Sequence, residues 1–176
     1  MRTRHPRIPT QWLMTDERMG DALWNALDRV PRGGGVIFRH YSLDLAARRA
    51  LYQRVEQVAR RRRLVLIAAG TNHLGRRCAG THGRIFKQCM GIKSWPAHHK
   101  RDVVAARRAR ADVILISPVF RTRSHPGKAA LGLARAALLA RDTAIPAIAL
   151  GGIKQDTMRW LKTAGFYGWA GIDAWM

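Results

Sequence analysis

Acidic residues are scarce in this sequence: 11 Asp and Glu stand against 32 Lys and Arg, a formal net charge of +21 over 176 residues. The resulting positive field disfavours cationic partners and favours anions, whether phosphorylated metabolites, nucleic acid or an acidic surface, without choosing among them. Cysteine is nearly absent too. Cys78 and Cys89 are the only two and form no C-x-x-C pair, which excludes a disulfide scaffold and argues against structural zinc. Long apolar runs are missing: nowhere do about 18 apolar residues follow one another, as a membrane span requires. The basic start MRTRHPRIPT precedes no apolar stretch of signal-peptide length. These absences predict a cytoplasmic protein with reduced thiols and no membrane partner. The length suits one domain over residues 1–176, with no stretch that reads as a linker.

What is present is alternation. Short apolar runs of strand character, Gln11 to Met14, Val36 to Phe38, Leu64 to Ile67, Val113 to Ile116, Ala147 to Leu150 and Gly168 to Ile172, are separated by segments of helical periodicity. Met19, Leu23, Leu27 and Val30 mark the first helical segment. Leu43 to Val58 is the second, closed by Arg60 to Arg63, whose charges complement a helix C-terminus. Further helices are expected over Asp102 to Arg110, Leu131 to Arg141 and Thr157 to Ala164. Two more short strands are placed near Gly80-Thr81-His82 and Gly91-Ile92-Lys93. Roughly eight strand-helix units of this kind define an α/β protein with a parallel sheet. A (β/α)8 barrel of 176 residues falls below the usual ~200 to 250, and only Asp173 to Met176 follow the last strand, so its final outer helix is absent or reduced. An open three-layer α/β fold is compatible with the same spacing.

In either fold, ligands collect at the carboxyl ends of parallel strands. The strand Ala147 to Leu150 ends in Gly151-Gly152 just before a helix, a junction where an anion can reach backbone N–H groups and the helix dipole. A bare tight turn would use the same two glycines.

Four stretches, "ADVILISPVF" from Ala111, Thr122-Arg123-Ser124-His125, "IPAIALGGI" from Ile145 and "AGFYGWAGIDA" from Ala164, resemble in order and spacing the thiamine phosphate synthase family. Its pattern there is G-A-D-Y-I-x-x-G-P-V-F-x-T-x-T-K, P-V-V-A-I-G-G-I and a G-x-A-V-x-S-A close. The resemblance reaches back through Thr15-Asp16, which resembles the family's T-D, Arg39, which sits in its Q-x-R-x-K, Gly80-Thr81-His82, which resembles G-V-H, and His98 with Asp102 and Ala106, which resembles S-x-H-x-x-x-E-x-x-x-A.

The resemblance implies a trimmed TIM (β/α)8 barrel that couples a hydroxymethylpyrimidine diphosphate to a thiazole phosphate, with phosphorylated small molecules as its partners. Gly151, Gly152 and the turn from Gly171 and Ile172 to Ala174 would hold the thiazole phosphate. Arg39, Thr122, Ser124 and His125 would face the diphosphate, with Ser117 among the substrate-binding residues. Magnesium is the implied cofactor, yet its carboxylates are not matched: Ala68-Ala69-Gly70-Thr71 replaces an Asn-Asp pair, and Gly83 to Gln88 holds no aspartate. Ile37 to Tyr41 keeps only the arginine of Q-x-R-x-K, His125 replaces a lysine, and Asp173 replaces a serine and would repel a phosphate unless turned away.

Two further readings remain. The TenI-like thiazole tautomerases resemble the synthase, lack its full diphosphate site and use a histidine for proton transfer; His98 sits at the matching place, where it could equally be a solvated residue beside His99 and Lys100. A non-catalytic protein binding phosphate or nucleic acid through its basic surface is the other, although no recognition module is legible and specific nucleic-acid binding is not expected. The tryptophans, Trp160, Trp169 and Trp175 among them, are assigned to packing. A barrel lacking its last helix would expose an apolar flank that a homodimer could cover.

Overall fold

The computed structural model describes residues 7–70, 74, 78–86, 91–123, 127 and 129–176, with only the backbone of Gln155 and Asp156. Eight parallel strands close into a barrel in sequence order: β1 (Gln11–Met14), β2 (Gly35–Phe38), β3 (Val65–Ala69), β4 (Gly80–His82), β5 (Ile92–Ala97), β6 (Val113–Ile116), β7 (Ala147–Leu150) and β8 (Gly168–Gly171). Closure between β1 and β8, with Trp12 beside Ala170, excludes the open sheet. Among the described residues five helices pack outside: α1 (Ala22–Arg29), α2 (Leu45–Arg62), α3 (Lys100–Arg108), α4 (Leu133–Arg141) and α5 (Gln155–Thr163).

Each helix forms where the sequence repeats apolar residues at helical spacing. In α2 the buried positions are Arg48, Tyr52, Val55 and Ala59, one stripe along the face turned to the barrel. Asp44 caps its start by accepting from the Ala47 N–H at 2.9 Å, and Arg63 closes it in the left-handed conformation, as the arginine run at this helix end led one to expect. β3 to β4 and β4 to β5 are joined by residues 70–79 and 83–91, and among their described residues no helix is present.

The last outer helix is replaced by a 3-10 turn, Asp173–Trp175. Trp175 stacks on Trp169 with ring centroids 4.8 Å apart and donates its indole N–H to the Trp12 carbonyl at 3.0 Å. Arg29 of α1 donates to the carbonyl oxygens of Trp175 and Met176. The flank expected to lie bare beside β8 is therefore covered from within the chain. Trp160 departs from its assignment to packing: it is 53% exposed, with the Arg159 guanidinium 4.9 Å from its ring centre. No helix among the described residues is long and apolar enough to cross a membrane.

The strand pleat decides what enters the barrel. Successive residues face opposite sides, so Trp12 and Met14 of β1 point inward while Leu13 faces the helices. The Trp12 indole occupies the space that a side chain at Gly35 on β2 would need, and it plugs the barrel at the amino-terminal end of the strands. Above that plug the lumen opens.

Candidate functional site

A cavity of about 260 Å³ opens at the carboxyl ends of the strands. The same alternation that sends Trp12 inward brings Met14 of β1, His82 of β4, Pro96 of β5, Leu115 of β6 and Leu150 of β7 to its walls. Arg39 and Tyr41 enter from the segment after β2, and His98 from the segment after β5. Ser117, Thr122, Gly151, Gly152, Gly171 and Ile172 also line it. Eight of the residues singled out in the sequence thus share one cavity; Ser124 and His125 lie outside the described residues.

Arg39 is anchored at both ends. Its backbone N–H donates to the Thr15 hydroxyl at 3.0 Å, and its guanidinium lies 3.6 Å from Asp16 Oδ2. Asp16 also accepts from Arg18 Nε at 2.7 Å. Desolvation raises the Asp16 pKa, but the hydrogen bonds from Arg18 and the charges of Arg18 and Arg39 together bring it below the ordinary value, so Asp16 stays ionised. On this rim Asp16 and Glu17, which accepts from the Ser42 N–H, face the guanidinium groups of Arg18 and Arg39.

Arg48, which the sequence reading passed over as one more helical arginine, lies beneath this rim. It is 5% exposed and donates to the Arg39 carbonyl at 2.8 and 3.1 Å and to the Ala69 carbonyl at 2.7 Å. It therefore ties together the ends of β2 and β3. Its guanidinium lies 5.3 Å from the Tyr41 ring centre. Its hydrogen bonds are satisfied by carbonyls; no described ion pair involves it, and the carboxylate charge that reaches it is that of Glu17.

His98 is built for a defined tautomer. Its ring Nδ1 lies 2.6 Å from the Ser117 carbonyl oxygen. A carbonyl oxygen only accepts, so Nδ1 carries the proton and a neutral His98 keeps its lone pair on Nε2. The backbone here is fixed by Asp102, whose Oδ2 accepts from the N–H groups of His98 and His99 at 2.8 and 3.0 Å and whose Oδ1 accepts from Arg84 at 2.9 Å. Burial pushes the Asp102 pKa up, but these bonds and the Arg84 charge outweigh it and hold the carboxyl below its ordinary value.

His82 is the wall residue that sequence reasoning quoted but did not single out. It is buried, with Nδ1 2.9 Å from the Ser94 hydroxyl, and burial, with a smaller contribution from Arg39, pulls its pKa down to about 4. A neutral imidazole thus faces the cavity. The signal was available: Gly80-Thr81-His82 read as a strand puts His82 inward by the same alternation that selects Leu115 and Leu150.

Of the two explanations open for the glycine pair, the backbone one has direct support. Gly151 and Gly152 have φ of +99° and +63°, conformations that L side chains rarely adopt. A Cβ at Gly151 would come within 2.9 Å of Pro118 Cβ, and one at Gly152 would overlap the Arg121 carbonyl. The close neighbour is the loop after β6, held by Val119 N–H to the Leu150 carbonyl at 2.9 Å and Phe120 N–H to the Gly151 carbonyl at 3.0 Å. The backbone therefore requires both glycines before any ligand does. Asp173, which might repel an anion from this side, has Oδ2 3.3 Å from Arg123 Nε; this partly exposed pairing offsets some of its charge.

The magnesium that the resemblance implies has few candidate ligands among the described residues. The described residues contain no group of three or more His, Cys, Asp or Glu side chains able to hold a metal, and residues 57–101, the whole run from β3 through β5, contain no Asp or Glu at all.

A closed eight-stranded parallel barrel with a cavity at the carboxyl ends of its strands defines a trimmed TIM barrel. The family model for thiamine monophosphate synthase matches residues 85–175, just over half of the chain, and the chain belongs to that family. A provisionally named thiamine-phosphate synthase 2 from Aquifex aeolicus (strain VF5) is 34% identical over 85 residues, 48% of this chain and 46% of the relative. A thiamine-phosphate synthase from Prochlorococcus marinus (strain AS9601) is 37% identical over 81 residues, 46% of this chain and 22% of the relative. The matches thus span less than half the length of these relatives. Among solved structures, thiamine phosphate pyrophosphorylase from Pyrococcus furiosus superposes with a TM-score of 0.76 at 19% identity, covering 94% of this chain and 86% of the other. The pyrophosphorylase from Bacteroides thetaiotaomicron gives 0.59 at 19% identity, covering 95% and 84%. At these identities the structural likeness establishes the fold.

Proposed function

We propose that this chain is a thiamine phosphate synthase-like transferase. The bond from the methylene carbon of hydroxymethylpyrimidine diphosphate to the leaving oxygen breaks, the electron pair departs with the diphosphate, and the thiazole nitrogen uses its lone pair to form the new C–N bond. What supports this reading above all is the convergence of Arg39, Ser117, Thr122 and the Gly151-Gly152 junction on one cavity in a chain of this family. The Arg39 guanidinium would stabilise the charge that develops on the diphosphate, the largest service a protein can offer in such a step. Ser117 and Thr122 would donate hydroxyl hydrogen bonds, and the backbone at Gly151, Gly152, Gly171 and Ile172 would hold the thiazole phosphate. Ser124 and His125 keep the diphosphate-facing roles that the resemblance implies. The test is to incubate the purified protein with both precursors and follow pyrophosphate release. Release that depends on the thiazole phosphate supports the transferase, and none under any condition rejects it.

A second reading, tautomerisation of a thiazole phosphate carboxylate, is favoured by one observation. The Ser117 carbonyl leaves His98 Nε2 as a proton acceptor at the cavity wall, an arrangement suited to carrying a proton.

A further inference from the structure

The magnesium carboxylates are missing from the part of the barrel where two guanidinium groups sit instead. We infer that the chain grips a diphosphate with Arg39, over the buried charge of Arg48, and requires no divalent cation to do so. This rests on the transferase reading of the cavity and deepens it.

Three observations carry the inference. No carboxylate occurs anywhere in residues 57–101, so the ends of β3, β4 and β5 have none to offer a metal. Three of the nearby acids are engaged: Asp16 with Arg18 and Arg39, Glu17 with the Ser42 N–H at 2.9 Å, and Asp102 with two backbone N–H groups and Arg84. Asp173 is the one carboxylate among the residues that line the cavity; its Oδ2 lies beside Arg123 and its Oδ1 has no described partner. Magnesium demands near-octahedral oxygen ligation and is normally held beside phosphates by one or two carboxylates, and Asp173, beyond β8 rather than at β3 or β4, is the single candidate left.

The third observation is the charge of Arg48. A buried charge that is poorly compensated is costly: among the described contacts the Arg48 guanidinium bonds to the carbonyls of Arg39 and Ala69, and the carboxylate charge that reaches it is that of Glu17, with which it forms no described ion pair. An anion seated at the mouth beside Tyr41 and Arg39 would add negative charge there. Arg39 and Arg48 together carry the charge of one magnesium ion, and as fixed groups they need no reorganisation when a diphosphate arrives. Arg39 touches the ligand; Arg48 acts through its field and through the carbonyls it holds, and is a positioning residue.

The experiment is calorimetric titration of the full chain with inorganic pyrophosphate, in EDTA and in excess magnesium. Affinity in EDTA within about threefold of that in magnesium is the expected result, with Arg39→Gln weakening it at least ~10-fold, as loss of a charge-assisted contact should. Arg48→Lys keeps the charge but not the paired hydrogen bonds, whereas Arg48→Gln keeps neither. The field role predicts that Arg48→Lys retains most of the affinity and Arg48→Gln loses it, with circular dichroism showing both folded. Equal losses in the two would reduce Arg48 to a structural tie and overturn its part. Binding seen only with magnesium overturns the inference and leaves the transferase reading standing. No pyrophosphate binding in either condition overturns both.

Discussion

Lowering the pH from 7 to 5 should destabilise this barrel through His82. Burial brings its pKa from the ordinary 6.5 to about 4 in the folded protein. Between those values the unfolded chain holds a proton on His82 that the folded chain does not, so stability is complete above 6.5 and declines as the pH falls toward 4. The gap of about 2.5 units, at about 1.4 kcal/mol per unit, caps the loss at roughly 3–4 kcal/mol. At pH 5 about 2 kcal/mol of it should have gone. Burial also lowers the pKa of His40, which adds to the decline in the same direction. The carboxylates Asp16, Glu17 and Asp102, all held below their ordinary values, lose their contribution only at lower pH, so the window from 5 to 7 isolates the histidines. Urea denaturation followed by tryptophan fluorescence at pH 7 and 5 measures the loss. His82→Gln should remove about 2 kcal/mol of the pH dependence while Ser94 retains a hydrogen-bonding partner. If the variant and the parent lose the same stability over this range, His82 is not held neutral and the reasoning fails.

Arg39→Ala should cut pyrimidine–thiazole coupling by roughly 10²- to 10³-fold, the scale for removing one stabilising donor, while His98→Ala costs under about tenfold; under the tautomerase reading the ranking reverses in a proton-exchange assay. Gly152→Ala forces an L residue to φ +63°, about 1–3 kcal/mol of backbone strain before the overlap with the Arg121 carbonyl is counted, and chemical denaturation should register at least that much. Single-stranded RNA should bind weakly and without sequence preference, its affinity falling steeply with added salt; tight, sequence-selective binding at physiological salt would favour a nucleic-acid role instead.

The barrel was legible because burial on both faces makes parallel strands read as continuous apolar runs. Val113 to Ile116 and Ala147 to Leu150 coincide with β6 and β7 to the residue. β5 was harder. Its reading stopped at Lys93, whereas the strand continues through Ser94, Trp95 and Pro96 to Ala97, because a proline and a buried serine look like loop when neighbours are unknown. In the barrel Ser94 is paid for locally by His82, and Pro96 needs no donor at the mouth.

The site shows a different limit. Residues that a family pattern marks were found by matching letters, and the pleat then gathered them. Arg48 carries no pattern of its own: among many arginines, nothing in the sequence distinguishes one buried at the base of the mouth from those in solvent. What marks it is spacing, since it shares a helical stripe with Tyr52, Val55 and Ala59, and an arginine on an apolar stripe must find partners inside. The glycine pair presents a different case, a junction with two explanations, of which the structure adds detail to the backbone one. Gly151 and Gly152 fit the motif, yet the groups that forbid side chains there belong to Pro118, Phe120 and Arg121. A phosphate seated at that junction would meet a backbone already shaped by the loop after β6. Substitutions at either glycine therefore report on loop packing first, and any ligand held by their N–H groups is better tested by titrating phosphate into the unaltered chain.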